Sequence, residues 1–112
     1  MMTNRTDATD LDLNNRRRAP RVNREIPISY LDGRMQVGET LALNVSASGA
    51  RLILKRPCYE VIMLQLDLHT QLLARPVWSR HLKQFSVVGV EFEITTPEQR
   101  RSLARFLHRL AA

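Results

Sequence analysis

Six short apolar runs, separated by turn-forming residues, occupy most of the chain between residues 26 and 94. The runs are Ile26–Tyr30, Thr40–Val45, Ala50–Leu54, Val61–Leu68, Leu72–Trp78 and Ser86–Ile94. Alternation of apolar and polar residues with a period of two is typical of half-buried β-strands. Short strands at such regular spacing, with turns between them, favour a closed barrel or a sandwich. The sequence therefore predicts a mainly β domain.

Several local signals refine this prediction. In the fourth run, one face is predicted to carry Ile62, Leu64, Leu66 and Leu68. In the sixth run, one face is predicted to carry Val88, Val90, Phe92 and Ile94. Pro27 lacks a backbone N–H, so the first strand is expected at an edge of the sheet. Asp32-Gly33 predicts a tight turn after that strand.

The last sixteen or so residues have a different pattern. Thr96 is a predicted N-cap, Pro97 suits the first helical position and Gln99 completes a capping box. An apolar stripe at helical spacing follows, made by Leu103, Phe106, Leu107 and Leu110. We expect this stripe to pack on an open end or side of the β-structure. A second face of the helix is interpreted as solvated and carries Arg101, Arg105 and Arg109.

Composition narrows the class of protein. The chain has 112 residues, enough for one domain, and a net charge of +6. Among its basic residues only Lys55 and Lys83 are lysines. Arginine suits bidentate recognition of phosphates and guanine edges, although a GC-rich genome would give the same bias. Cys58 permits no intrachain disulfide, and the chain shows neither a secretory h-region nor an apolar run that could span a bilayer. We expect a soluble cytoplasmic protein.

The residues that carry catalytic chemistry are scattered. The histidines lack the spacing of a zinc site; they are His69, His81 and His108. Cys58 has no histidine nearby in sequence and is interpreted as buried or idle. Glu91 and Glu93 share one strand face and are expected to solubilise the exterior rather than to act as an acid/base pair. We therefore expect a binding protein, not an enzyme, with no cofactor and no metal.

Two short motifs carry the functional hypothesis. Arg17 and Arg21 form an RxxxR pair inside a basic cluster that also contains Arg16 and Arg18. The segment Asn44–Gly49 reads NxSxxG between two predicted strands. We expect Gly49 to supply a positive φ or a close approach of a ligand. The same segment is also compatible with an ordinary turn closed by an Asn or Ser side chain.

Together and in this order, the two motifs resemble those of the PilZ domain family. The resemblance runs from about Arg16 to Leu110, and Trp78 and the strand Gly89–Phe92 support it. It implies a small six-stranded antiparallel β-barrel with a C-terminal α-helix. It also implies a bacterial receptor for cyclic di-GMP (c-di-GMP), with a site that contains Arg17, Arg21, Asn44, Ser46 and Gly49 and, as further candidates, Arg16 and Arg18. Trp78 is interpreted as a core or interface residue rather than a ligand contact.

The expected organisation follows from this resemblance. Residues 1–15 form a flexible tail, residues 16–24 an arginine arm, residues 25–95 the barrel and residues 96–111 the helix of a domain that spans 16–112.

Arginines can bind phosphates or the O6/N7 edge of guanine, while the Asn44 carbonyl and the Ser46 hydroxyl can accept from its N–H edge. These two residues face the same way if the chain is extended there.

We expect the ligand to order the arm over the turn and so to signal to an unknown downstream effector protein. Two alternatives stay open at this point. One is a degenerate PilZ module that only docks to other proteins. The other is a small basic nucleic-acid-binding barrel, which the aromatic content of 5% disfavours because few side chains could stack on bases.

Overall fold

A computed structural model describes residues 25–56 and 58–111 of the chain. Within this part, six strands are followed by one helix. They are β1 (Ile26–Leu31), β2 (Val37–Val45), β3 (Gly49–Leu54), β4 (Ile62–Asp67), β5 (Thr70–His81), β6 (Ser86–Glu93) and α1 (Pro97–Ala111). The tail expected over residues 1–15 and the arm expected over residues 16–24 lie outside the described residues.

The six strands form a closed barrel in the order β1-β2-β3-β6-β5-β4, and every neighbouring pair is antiparallel. The six-stranded antiparallel barrel and the C-terminal helix are therefore confirmed. Closure occurs between β1 and β4 through three residue pairs, which begin with Ser29 opposite Gln65 and end with Leu31 opposite Met63. Closure removes the free edges that an open sheet of six strands would expose.

The interior is filled by alternate residues of the strands, as the period of two requires. Ile62, Leu64 and Leu66 of β4 are buried, and so are Val88 and Val90 of β6. The predicted face of the fourth run is wrong at its end. Leu68 is 86% exposed, because β4 ends at Asp67 and the Asp67 carboxylate accepts a hydrogen bond from the His69 N–H at 2.9 Å. This bond closes the turn into β5 and leaves Leu68 at its tip.

The edge position predicted from Pro27 holds only locally. Pro27 lies opposite Leu41 of β2, and the register between β1 and β4 begins two residues later, at Ser29. At Pro27, β1 therefore pairs with β2 alone among the described strands. The missing N–H of the proline lies in this singly paired part of β1. The turn at Asp32 is as predicted, and its carboxylate accepts from the N–H groups of Arg34 and Gln36, both at 2.9 Å.

Helix α1 begins with the predicted cap. Thr96 Oγ1 accepts a hydrogen bond from the Gln99 N–H at 3.1 Å. The reciprocal bond goes one residue further back than in a standard capping box, because Gln99 Oε1 accepts from the Thr95 N–H at 2.8 Å. The apolar stripe faces the core as expected, with Leu103, Phe106 and Leu107 buried and Leu110 half-buried.

The turn between β4 and β5 fastens α1 to the barrel. The hydroxyl of buried Thr70 lies 3.4 Å from the Ser102 carbonyl oxygen, and the Asp67 carboxylate forms an ion pair with Arg109. Arg101, Arg105 and Arg109 are all exposed, as expected of a solvated helix face, and Arg109 forms its ion pair while 55% exposed. Burial alone would raise the pKa of Asp67, but the His69 N–H, the Thr70 hydroxyl and the Arg109 cation together hold this pKa below its usual value of 3.8.

Strands β3 and β6 approach each other closely at Gly49. A Cβ at this position would overlap the backbone carbonyl oxygen of Val90, and nearby the Phe92 N–H donates to the Ser48 carbonyl oxygen at 2.8 Å. Of the two roles expected of Gly49, a positive φ is wrong, since none of the described glycines has one. The glycine is needed here because the neighbouring backbone leaves no room for a side chain.

Asp67→Asn should destabilise the fold at pH 7 by about 0.5–1 kcal/mol, because the amide keeps the shape but loses the charge that Arg109 pairs with. Since the pKa of Asp67 is lowered by folding, its contribution exists above the unfolded value and disappears as the pH falls through the folded one. Urea unfolding of both proteins at pH 7 and pH 3 measures this difference. Glu39→Gln, which alters an exposed carboxylate on β2, is the control. An equal difference at both pH values would contradict the role of the charge.

Gly49→Ala should reduce the free energy of unfolding by about 1–3 kcal/mol, because the backbone of β6 must move to admit the methyl group. Gly33→Ala is the matched control. A Cβ at Gly33 would meet only the end of the flexible Glu60 side chain, which can rotate away. Chemical denaturation of the two variants checks the difference, and equal losses would show that the contact with Val90 is not the cause.

Candidate ligand-binding face

The structure brings three of the candidate site residues together. Asn44 is the penultimate residue of β2, Ser46 follows the strand in the turn, and Gly49 is the first residue of β3. The arginine candidates lie outside the described residues; they are Arg16, Arg17, Arg18 and Arg21. The described part of the candidate site is therefore the β2–β3 turn and the barrel face around it.

A β-bulge in β2 decides which way Asn44 points. The register places Ala42 opposite Leu52 and Asn44 opposite Arg51, with a shift between the two pairs at Leu43. In a regular strand Asn44 would share the inward face of Ala42. The shift instead places Asn44 beside Arg51 on the outer face and returns the next residue of β2 to the interior. The bulge keeps an amide side chain out of the apolar core.

Asn44 and Arg51 form a specific pair on this outer face. With its amide oxygen facing the guanidinium, Asn44 accepts hydrogen bonds from Arg51 Nη2 at 2.7 Å and from Arg51 Nε at 2.9 Å. The opposite orientation of the amide would set donors against donors. Asn44 is only 5% exposed, whereas Arg51 is exposed. Arg51 was not among the candidate residues identified from the sequence. Its position two residues after Gly49 on β3 places both residues on the same outer face.

Ser46 organises the turn itself. Its hydroxyl oxygen accepts from the N–H groups of Ser48 at 3.2 Å and Gly49 at 3.3 Å, and the Ser46 N–H donates to the Gly49 carbonyl oxygen at 2.9 Å. These are the bonds of an ordinary serine turn, which the sequence also allowed. Ser46 lies outside β2, which ends at Val45, so the strand does not fix the direction of the Ser46 side chain relative to that of Asn44.

Two rows of residues cross the outer face beside this turn. The first runs from Asn44 through Arg51 and Gly89 to Trp78. Trp78 is 46% exposed, and its indole covers Gly89, whose Cβ would overlap the ring. A core position for Trp78 is therefore wrong. The ring is available at the surface in line with the motif.

The second row joins Gly49 to Glu91 and Arg75. Arg75 pairs with Glu91 at 2.7 Å and with Glu93 at 3.3 Å. The hydrogen bond that Arg75 donates to Glu91 and the charges of Glu93 and Glu91 raise the pKa of Arg75. The two glutamates lie on the exterior, as expected, and their charges are partly neutralised by this arginine.

Within residues 25–56 and 58–111, no group of three or more His, Cys, Asp or Glu side chains could hold a metal ion. Cys58 is half-buried, and its thiol lies 3.3 Å from the Glu60 carbonyl oxygen. None of the described helical segments is both long and apolar enough to cross a membrane.

Comparison with solved structures supports the fold. The PilZ domain of CeSA from a cellulose-synthesizing bacterium superposes with a TM-score of 0.64 at 17% identity, over 83% of this chain and 99% of that one. The K. pneumonia MrkH–c-di-GMP complex gives 0.64 at 14% identity, over 87% of this chain. The PilZ domain of YcgR from Escherichia coli with c-di-GMP gives 0.61 at 15% identity, over 87% of this chain and 92% of that one.

Identities this low establish the fold alone, and this chain spans only 52% of MrkH. No curated protein matches the chain. The family model described as "PilZ domain" matches residues 15–109, which include the arginine cluster, the whole barrel and most of α1. The chain is a member of the PilZ domain family.

Proposed function

We propose that this chain is a receptor for c-di-GMP and that it acts by binding rather than by catalysis. Family membership supports the proposal, as do the MrkH and YcgR structures, both of which contain c-di-GMP. The observation that carries it is the placement of the NxSxxG turn on the outer face, where a buried Asn44 is hydrogen-bonded to the exposed Arg51 and the exposed Trp78 lies further along the same row. A ligand with two phosphates and two guanines offers partners for each of these groups.

In this proposal the site has two halves. The described half is the outer face around Asn44, Ser46 and Gly49. The other half is the basic cluster, in which Arg17 and Arg21 bind phosphate or guanine and Arg16 and Arg18 add positive charge. The cluster ends four residues before the described part begins, at Glu25. Binding draws the cluster onto the turn, because the phosphates offset the repulsion among its arginines.

In this proposal the same turn also transmits ligand binding to an effector protein. Ala47, the residue after Ser46, lines a pocket of about 300 Å³ together with Leu103 and Leu107 of α1. A ligand that holds the turn also holds one wall of this pocket. We propose that the effector, in the cytoplasm, recognises the surface that the arm, the turn and α1 then form together.

Isothermal titration of the purified chain should show saturable heat with c-di-GMP and little with cyclic di-AMP or GTP. Arg17→Ala and Arg21→Ala should each weaken binding about tenfold or more, because each removes a hydrogen-bonded charge from the ligand. Arg101→Ala removes an exposed charge from α1 and is the matched control. Equal heat with cyclic di-AMP, or no loss in either variant, would contradict the site. Preference for an oligonucleotide would instead support the nucleic-acid alternative.

The fluorescence of Trp78 should change when c-di-GMP binds, because this residue is the chain's single tryptophan and lies in the row that begins at Asn44. The emission change should saturate at the same ligand concentration as the calorimetric heat. Trp78→Phe removes the signal and confirms its source. Calorimetric binding without any change in emission would place the ligand away from this face.

A further inference from the structure

Three connections between strands lie together at one end of the barrel. Because neighbouring strands are antiparallel, the β1–β2, β3–β4 and β5–β6 connections fall at the end opposite the NxSxxG turn. Ser86 at the start of β6 pairs with both Leu54, the last residue of β3, and His81, the last residue of β5. A Cβ at Gly33 in the first connection would meet the Glu60 side chain of the second. We call this the distal end, and its described residues are 32–37, 55–56, 58–61 and 80–85.

The distal end exposes apolar side chains on each of its three connections. Six of the ten large apolar residues that are exposed in the described part of the chain lie there; they are Met35, Val37, Tyr59, Val61, Leu82 and Phe85. Met35, Val37 and Tyr59 are exposed to 74%, 76% and 75%. Exposed apolar side chains that gather on one surface mark a site of interaction.

The backbone holds Met35 at the tip of the β1–β2 turn. Met35 is the one non-glycine residue with a positive φ, 63°, in the described part of the chain. Its N–H donates to the Asp32 carbonyl oxygen at 3.0 Å, and the Asp32 carboxylate accepts from the N–H groups of Arg34 and Gln36. Glycine or asparagine would adopt this left-handed conformation with less strain. The turn therefore presents a large apolar side chain to solvent at a conformational cost.

Positive charge surrounds these apolar side chains. Five exposed cations lie at the distal end, and they are Arg34, Lys55, Arg56, Arg80 and Lys83. The carboxylates at or near this end are Asp32, Glu39 and Glu60. Within the described residues the ion pairs are those of Arg75 and Arg109, so none of the five cations is paired. The distal end therefore has an excess of positive charge.

This combination favours a lipid surface over a protein or a nucleic acid. Lys55 and Lys83 are the only lysines of the chain and both lie here, whereas lysine is depleted from protein–protein interfaces. A nucleic acid backbone would pair with the cations but would leave Met35 and Val37 without a role. An anionic leaflet attracts the cations, and its interfacial layer accepts apolar tips and tyrosine rings.

We propose that the distal end is a docking surface for the anionic face of a lipid bilayer. The lysines and arginines lie against the headgroup phosphates, while Met35, Val37 and Tyr59 enter the interfacial layer. Docking in this way leaves the NxSxxG turn on the side away from the bilayer. The inference goes beyond the proposed function and does not depend on binding of c-di-GMP.

Flotation of the full chain with vesicles tests the role of charge. Wild type should bind vesicles of equal parts phosphatidylglycerol and phosphatidylcholine but not phosphatidylcholine alone, and salt should weaken the binding. Lys55→Gln and Lys83→Gln together should weaken it by about fivefold for each lysine removed. Arg101→Gln with Arg105→Gln removes two exposed charges from α1 and is the matched control, which should change binding much less.

The apolar tips are tested separately. Met35→Asn with Tyr59→Ser keeps a residue suited to the positive φ and should weaken vesicle binding about tenfold or more. Leu68→Ser is the control, because Leu68 is 86% exposed at the opposite end of the barrel. In a Trp78→Phe background, Tyr59→Trp should give a blue-shifted emission on binding and quenching by lipid with brominated acyl chains. Binding without this shift would overturn insertion of the tips.

Other outcomes would overturn the docking surface itself. One is the absence of wild-type binding to the anionic vesicles. Another is binding that survives the distal changes but is lost in Arg17→Ala or Arg21→Ala, which would place the contact at the arginine cluster. A third is a DNA duplex that binds wild type in preference to vesicles and loses affinity in the lysine variant, which would assign the surface to nucleic acid.

Two further measurements separate this inference from folding and from the proposed function. Chemical denaturation of each variant identifies any loss that comes from unfolding. Titration with c-di-GMP should give wild-type affinity in the distal variants, because the proposed ligand site lies at the other end of the barrel. Vesicle binding by a wild-type chain that does not bind c-di-GMP would refute the proposed function and leave the docking surface standing.

Discussion

The shift in register at Leu43 is the constraint on which the functional face depends. It moves Asn44 from the inward to the outward side of β2 while Ala42 and Val45 both remain fully buried. Without it, an amide would enter an interior built from apolar side chains, at a cost of several kcal/mol. With it, Asn44 reaches Arg51, and the turn that follows starts in the place where Ser46 can close it. One extra residue thus sets both the packing of the barrel and the geometry of its motif.

Much of the architecture could be predicted because it depends on periodic burial. Alternation located the strands, and the cap at Thr96 with the stripe beginning at Leu103 located the helix. The errors arose where a local hydrogen bond or an added residue broke the period. The Asp67 carboxylate ends β4 before Leu68, and the bulge reverses the facing of β2. Periodicity carries no information about such interruptions.

The candidate site was predicted only in part, for a related reason. Asn44, Ser46 and Gly49 are marked by a motif, so their position in the chain could be found, but the neighbours of Asn44 and Gly49 across the sheet come from other strands. Arg51, Gly89 and Trp78 meet Asn44 in one row only through the pairing of β2, β3, β6 and β5. Sequence reasoning assigned Trp78 to the interior or an interface because large aromatic residues usually bury their rings. Here a glycine on the neighbouring strand lets the ring lie flat on the outside.

The short pairing between β1 and β4 also bears on where the barrel opens. These strands share three residue pairs, whereas β5 and β6 share eight. The junction between β1 and β4 is therefore the most weakly paired part of the described barrel. Local opening is easiest there because the fewest residue pairs must separate. One strand of this junction, β1, is the first described strand after the arginine cluster. Strand β1, which follows that cluster in sequence, is therefore held to β4 by fewer residue pairs than any other neighbouring strands of the described barrel share.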